Sequence, residues 1–209
     1  FRTASGTVGS LDFREKAPIN AFRDMYLDEN KKVLSEKSVL GGLAVGVPGT
    51  VAGMYSLHQK LGKLSWEQVI APAVALAKNG FVVTSKQARG LSNKRSEIIS
   101  MNGSNTLFAH PFIAGDRIYN LPLSTLLNKI AHEGPKAFYK GPNAEAMVEK
   151  INNSGGIFSL EDLENYEPVW REPIEFNYKD LKLYSMGPPS SGGICLAQML
   201  GMVEQFPID

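Results

Sequence analysis

The strongest constraint on the fold is the stretch Ser65–Gly80, where a helix start, an apolar helical repeat and a glycine stop follow one another without a gap. Ser65-Trp66-Glu67-Gln68 sets a hydroxyl three residues ahead of a carboxamide, the capping-box spacing in which each side chain satisfies the other's backbone N–H. Val69, Ile70, Ala73, Val74 and Ala77 then recur at helical intervals, so one face of this helix belongs to a core. Pro72 lies inside the pattern and predicts a kink or a division into two pieces. Further helices are signalled elsewhere. Thr50 is placed to cap a helix running to about Leu61 and stopped by Gly62, and Thr84-Ser85 opens a more polar helix to about Ser100. Helical spacing also covers Leu121–Ile130, ended by Gly134-Pro135, and Asn143–Ile151. Ser159-Leu160-Glu161-Asp162 is an acidic helix start, which explains Glu161 and Asp162 as dipole-facing caps rather than a catalytic carboxylate pair.

Strand signals are fewer. They fall at Ser10–Arg14, in the apolar run Gly41–Val47 that breaks at Pro48-Gly49, and at Ile174–Tyr178 and Leu181–Ser185, which flank Lys179-Asp180 as a hairpin. An apolar helix from Ile194 to about Phe206 follows. The expectation is a helix-rich α/β chain forming one compact unit over residues 1–209, without repeats or linkers.

Composition removes several function classes. With 43% hydrophobic and 21% charged residues in 209, the chain can build a sizeable core, and no apolar run approaches the roughly 18 residues that cross a bilayer. The 22 basic and 21 acidic residues are interspersed and nearly cancel, so the field that holds a nucleic acid is missing. The glycines near Gly46 form neither a Gly-x-Gly-x-x-Gly nor a Gly-Lys-Ser/Thr motif, which argues for tight packing and against a nucleotide. Cys195, the single cysteine, lies in the apolar run Ile194–Ala197 and reads as a buried small hydrophobe. His58, His110 and His132 share no ligand spacing, so no metal or other cofactor is expected. Ser190 and Ser191 precede a helix with no histidine near them in sequence and read as caps, while Asp28–Lys32 reads as a solvated turn. Neither Phe1-Arg2-Thr3 nor Phe206–Asp209 has the character of a natural terminus, and the expectation is a fragment or processed piece.

One residue stands out as a ligand group. In Leu11-Asp12-Phe13-Arg14-Glu15-Lys16-Ala17-Pro18, Arg14 ends a short strand just ahead of a proline. Its planar fork of donors binds a carboxylate at two points, which lysine cannot do. The same residue also reads as an ordinary surface charge, with Asp12 and Glu15 as available partners.

Five blocks carry a family resemblance. They are Leu11–Pro18, Gly46-Val47-Pro48-Gly49-Thr50-Val51-Ala52-Gly53, Ala71–Phe81, Glu161-Asp162-Leu163-Glu164-Asn165-Tyr166 and Pro188-Pro189-Ser190-Ser191-Gly192-Gly193. In this order they resemble successive blocks of the gamma-glutamyltranspeptidase large subunit, across nearly the whole chain except Arg89–Arg117. Leu61, where an aromatic is frequent, and Gly187, where a third proline is usual, depart from the pattern without touching a catalytic group.

The resemblance implies an N-terminal-nucleophile hydrolase, an αββα sandwich matured by self-cleavage, of which residues 1–209 are one incomplete domain. It implies a threonine nucleophile on a small subunit of the same precursor, so no catalytic residue is expected in this chain. It further implies that Arg14 binds the alpha-carboxylate of the gamma-glutamyl group of glutathione or related compounds. The acyl group would pass to an amino acid, a dipeptide or water, in the periplasm or outside the cell. A cephalosporin acylase, a poly-gamma-glutamate transpeptidase or a non-catalytic scaffold relative would share these blocks.

Overall fold

The computed structural model describes residues 1–207; Ile208 and Asp209, the last two of the expected 1–209 unit, lie outside them. The elements in chain order are β1 (Ser10–Asp12), α1 (Thr50–Leu61), α2 (Trp66–Asn79), β2 (Phe81–Val82), α3 (Ser85–Asn102), β3 (Arg117–Ile118), α4 (Leu121–Glu133), α5 (Lys136–Tyr139), α6 (Gly141–Asn153), α7 (Leu160–Glu164), β4 (Val169–Arg171), β5 (Ile174–Tyr178), β6 (Leu181–Ser185) and α8 (Gly192–Val203). The strands join in antiparallel pairs, β1 with β4, β2 with β3 and β5 with β6. The fold is α/β and helix-rich, as the spacing predicts. The described residues fall into two compact units, one formed by Phe1–Arg14 with the segment from Glu167 onward, the other by Glu15–Tyr166.

In the Glu15–Tyr166 unit the local start signals act as read. Both halves of the capping box form at Ser65/Gln68 and at Thr84/Gln87, and Asn120 accepts from Leu123 N–H at 3.1 Å to start α4. Pro72 does not divide α2, which runs as one helix to Asn79. Its missing N–H costs one ladder bond, but packing on α4 holds both halves: Trp66 Nε1 donates to the Ile130 carbonyl at 3.0 Å and Ser124 Oγ to that of Val74 at 3.3 Å. Thr50 is the first helical residue of α1 rather than its cap, which is Gly49, a residue that makes no side-chain cap bond.

The densest core of this unit gathers Val47, Ala52, Tyr139, Ala144, Phe158, Leu163 and Tyr166. Burial raises the Tyr139 phenol above its ordinary pKa against the smaller opposing pull of the Ala52 N–H. The phenol donates to the Pro48 carbonyl at 2.8 Å and accepts from Ala52 N–H at 3.2 Å, so the start of α1 is tied to α5. Asp162 completes the capping box with Ser159 and also accepts the Ile19 N–H at 2.6 Å, while only 5% exposed. Its carboxylate therefore joins α7 to the segment that follows Arg14 in sequence, beyond the capping role read from the sequence.

The run Gly41–Val47 is not a strand. Gly42–Ala44 forms a 3-10 turn, and Val47 makes a single bridge to Lys16. The cause is distant in sequence: Gly42 presses on the main chain of Ile151 and Gly156, and a Cβ there would collide with the Ile151 carbonyl and the Gly156 amide. Those neighbours are backbone and cannot step aside as a side-chain tip can. Gly42→Ala is expected to destabilise the complete protein by about 3 kcal/mol, at the upper end of overpacking costs. Gly90→Ala is the control, because Gly90 is in α3 with open space around it and gains helix propensity on substitution. Thermal unfolding followed by circular dichroism checks the pair; equal melting points would refute the steric argument.

In the unit of Phe1–Arg14 and the segment from Glu167, β5 and β6 pair from Ile174↔Ser185 to Tyr178↔Leu181, giving the expected two-residue turn at Lys179-Asp180. Helix α8 packs on this hairpin through Gly193, where any Cβ would meet the Met186 carbonyl and Ser185. It starts two residues earlier than the apolar run suggests, and Cys195 is exposed, not buried. The helix is apolar around its circumference while the hairpin covers one side, so Ile194, Leu196, Met199 and Met202 are 42, 40, 53 and 57% exposed among the described residues.

Candidate substrate-anchoring site

Arg14 sits two residues beyond β1, exposed to solvent. What holds it there is the strand pair beneath. In the β1–β4 register Ser10 faces Arg171, Leu11 faces Trp170 and Asp12 faces Val169. Leu11 and Trp170 thus share one face, Ser10, Asp12, Val169 and Arg171 the other. On the first face the ring of Phe1 meets Trp170 edge-on at 5.9 Å. On the second, Asp12 and Arg171 are diagonal neighbours, and Arg171 Nε donates to Asp12 Oδ2 at 2.8 Å. The other oxygen, Oδ1, accepts the main-chain N–H of Arg14 at 3.2 Å, an Asx-type bond that fixes the chain as it leaves the strand. At 8% exposure Asp12 is a buried anion, and such a group persists only when its oxygens are supplied with donors.

The two readings of Arg14 therefore divide differently from what the sequence suggests. Asp12, the acid two residues away, takes a guanidinium from Arg171 and holds Arg14 by its backbone. Arg171 carries no sequence signal, because its link to Asp12 depends on a register between strands that lie 159 residues apart.

Across the Glu15–Tyr166 unit, the block Glu15–Pro18 lines a cleft of about 330 Å³ whose walls include Met25, Tyr26, Leu43 and Gly46. Lys16 places its ammonium 4.8 Å from the centroid of Tyr166. Gly46 admits no Cβ without displacing Glu15, so the glycine of the second block is a packing residue, as expected.

The remaining candidates separate cleanly. Ser191 occupies the N-cap of α8 with no side-chain bond, and Ser190 Oγ accepts the Gly192 N–H only at 3.4 Å, so these serines cap weakly if at all. The three histidines are dispersed: His58 Nε2 faces the Leu64 carbonyl at 2.8 Å, His110 packs on Phe112 and His132 bonds the Asn128 carbonyl one turn back. No cluster of three or more His, Cys, Asp or Glu able to hold a metal occurs among the described residues, and no described helix is long and apolar enough to cross a membrane.

A sequence model of the gamma-glutamyltranspeptidase family matches residues 1–209. The chain belongs to this family. Its similarity to the glutathione hydrolase proenzyme of Escherichia coli is 39% identity over 98% of the chain and 36% of that protein. Among solved structures, the gamma-glutamyltranspeptidase of Helicobacter pylori superposes over the whole chain with a TM-score of 0.96 and 38% identity, covering 61% of that structure. The Pseudomonas nitroreducens gamma-glutamyltranspeptidase, solved in complex with L-DON, gives 0.87 and 36% over 98% of this chain and 61% of its own. The chain thus spans about a third of the length of the curated relatives it matches, and its fold is that of the corresponding part of this N-terminal-nucleophile hydrolase family.

Proposed function

We propose that the complete protein is a gamma-glutamyl acyltransferase and hydrolase, and that this chain contributes the anchor for the alpha-carboxylate through Arg14. The observation that carries the reading is an exposed arginine at the exit of β1, held by its main chain to a buried carboxylate, in a chain of the gamma-glutamyltranspeptidase family. A guanidinium so placed offers two parallel N–H donors to a carboxylate, fixing the orientation of the glutamyl group as well as its charge.

The nucleophile belongs to a small subunit of the same precursor, where an N-terminal threonine attacks the gamma-carbonyl and its own amine serves as base. The threonine Oγ–carbonyl bond forms as the amide of glutathione or a related compound breaks, and the departing amine takes the proton. The resulting gamma-glutamyl ester is then resolved by an amino acid, a dipeptide or water. Residues 1–209 act as one incomplete domain of this assembly, in the periplasm or outside the cell.

The test is intact-mass measurement of the complete protein beside an assay with gamma-glutamyl-p-nitroanilide. Release of nitroaniline by material holding a second polypeptide that begins with threonine is the expected result. A protein without such a polypeptide and without nitroaniline release would be a non-catalytic relative, and the proposal would fall.

A further inference from the structure

We propose that Arg171 is a positioning residue for Arg14, acting through Asp12; the inference rests on the reading of Arg14 as the carboxylate anchor. The two ends of the Asp12 carboxylate do different work. Oδ2 is held by Arg171 Nε at 2.8 Å, and Oδ1 holds the Arg14 N–H at 3.2 Å. The Asp12 side chain is 10% exposed and that of Arg171 43%, so the acid is the buried member and the arginine reaches it from the partner strand.

Without Arg171 a carboxylate at this depth must either turn toward another donor or take up a proton. Either response weakens the bond to Arg14 N–H, because that bond depends on both the direction and the charge of Oδ1. The residue that loses its tether is the second one past the strand, beyond the reach of the ladder: the β1–β4 register ends at Asp12↔Val169. Arg171 also brings Asp12 a countercharge from the partner strand. Binding groups act at full effect only when held within about 0.5 Å of the productive position, and a misplacement of about 1 Å can cost 10²-fold.

The experiment compares two substrates on the complete, matured protein: gamma-glutamyl-p-nitroanilide, which carries the alpha-carboxylate, and 4-aminobutanoyl-p-nitroanilide, which lacks it. Arg171→Ala is expected to lower the preference for the first over the second by about tenfold, through KM, with kcat for the first substrate within about threefold. Arg171→Lys, which keeps the charge, should recover part of that preference, and Asp12→Asn should lose it. Because the readout is a ratio on one preparation, a lower yield of folded enzyme does not change it. Should Arg171→Ala not fold, Arg171→Lys and Asp12→Asn report the same ratio. Equal loss on both substrates would mean a purely structural role and would overturn the inference. If Arg14→Lys collapses the preference while the Arg171 variants leave it intact, only this inference fails. If Arg14→Lys itself leaves it intact, the reading of Arg14 fails and the inference with it.

Discussion

Arg14→Lys in the complete protein is expected to weaken the productive binding of gamma-glutamyl-p-nitroanilide by about 2 to 5 kcal/mol, a loss of roughly 30- to 5,000-fold in kcat/KM. The substitution preserves the charge and removes the geometry. An ammonium is a compact point charge on a flexible stem, whereas the guanidinium presents its donors in a fixed plane that matches both carboxylate oxygens. If charge alone mattered, lysine would serve nearly as well and the loss would be within a few-fold. Steady-state kinetics over a range of substrate concentrations separates the outcomes, since loss of an anchor used equally in ground and transition states appears in KM. Kinetics unchanged from those of the parent enzyme would remove Arg14 from the site. A substrate with no alpha-carboxylate, as a cephalosporin-type side chain can be, should be indifferent to the change.

The second large effect concerns stability. Leu163 has no exposed surface, and it lies in α7 among Val47, Ala144, Phe158 and Tyr166. Leu163→Ala is expected to cost about 2 to 5 kcal/mol, the range for deleting a buried leucine side chain into a cavity that its surroundings fill only in part. The upper half of that range is favoured here by the company the residue keeps. Tyr139 and Tyr166 stack 6.0 Å apart with their planes 5° from parallel, and both are large rings with little freedom to slump into a void. Denaturant unfolding of the complete protein, compared with Leu163→Met as a volume-conserving control, gives the measurement. A loss below about 1 kcal/mol for the alanine variant would show that this core can collapse.

The helices of this chain were legible because their signals are local. Ser65 with Gln68, Thr84 with Gln87 and Ser159 with Asp162 each bond within three residues, and the hairpin at Lys179-Asp180 needs only its own turn. The misreadings arise where a distant partner decides. Gly41–Val47 has strand composition, but the main chain of Ile151 and Gly156 forces Gly42 into a turn. Cys195 sits in an apolar run that signals burial, yet α8 contacts the hairpin on one side only. At the candidate site the arginine itself was visible from residue type and the family blocks, while the Asp12–Arg171 support was not. Diagonal pairing is a property of register, and no spacing within Leu11–Pro18 encodes which residue of β4 will lie across from it.

The separation of 159 residues between Asp12 and Arg171 also sets an order in time. At typical synthesis rates of about 5 to 20 residues per second, the growing chain carries β1 for roughly 8 to 32 s before β4 has been made. Through that interval the start of the chain has an unpaired edge and an acid without its arginine. Unit closure at Ile19–Asp162, 143 residues apart, faces nearly the same wait. Both bonds therefore close late in biosynthesis, after the α2–α4 packing has had its partners in hand, and the carboxylate that tethers the Arg14 main chain gains its arginine only then.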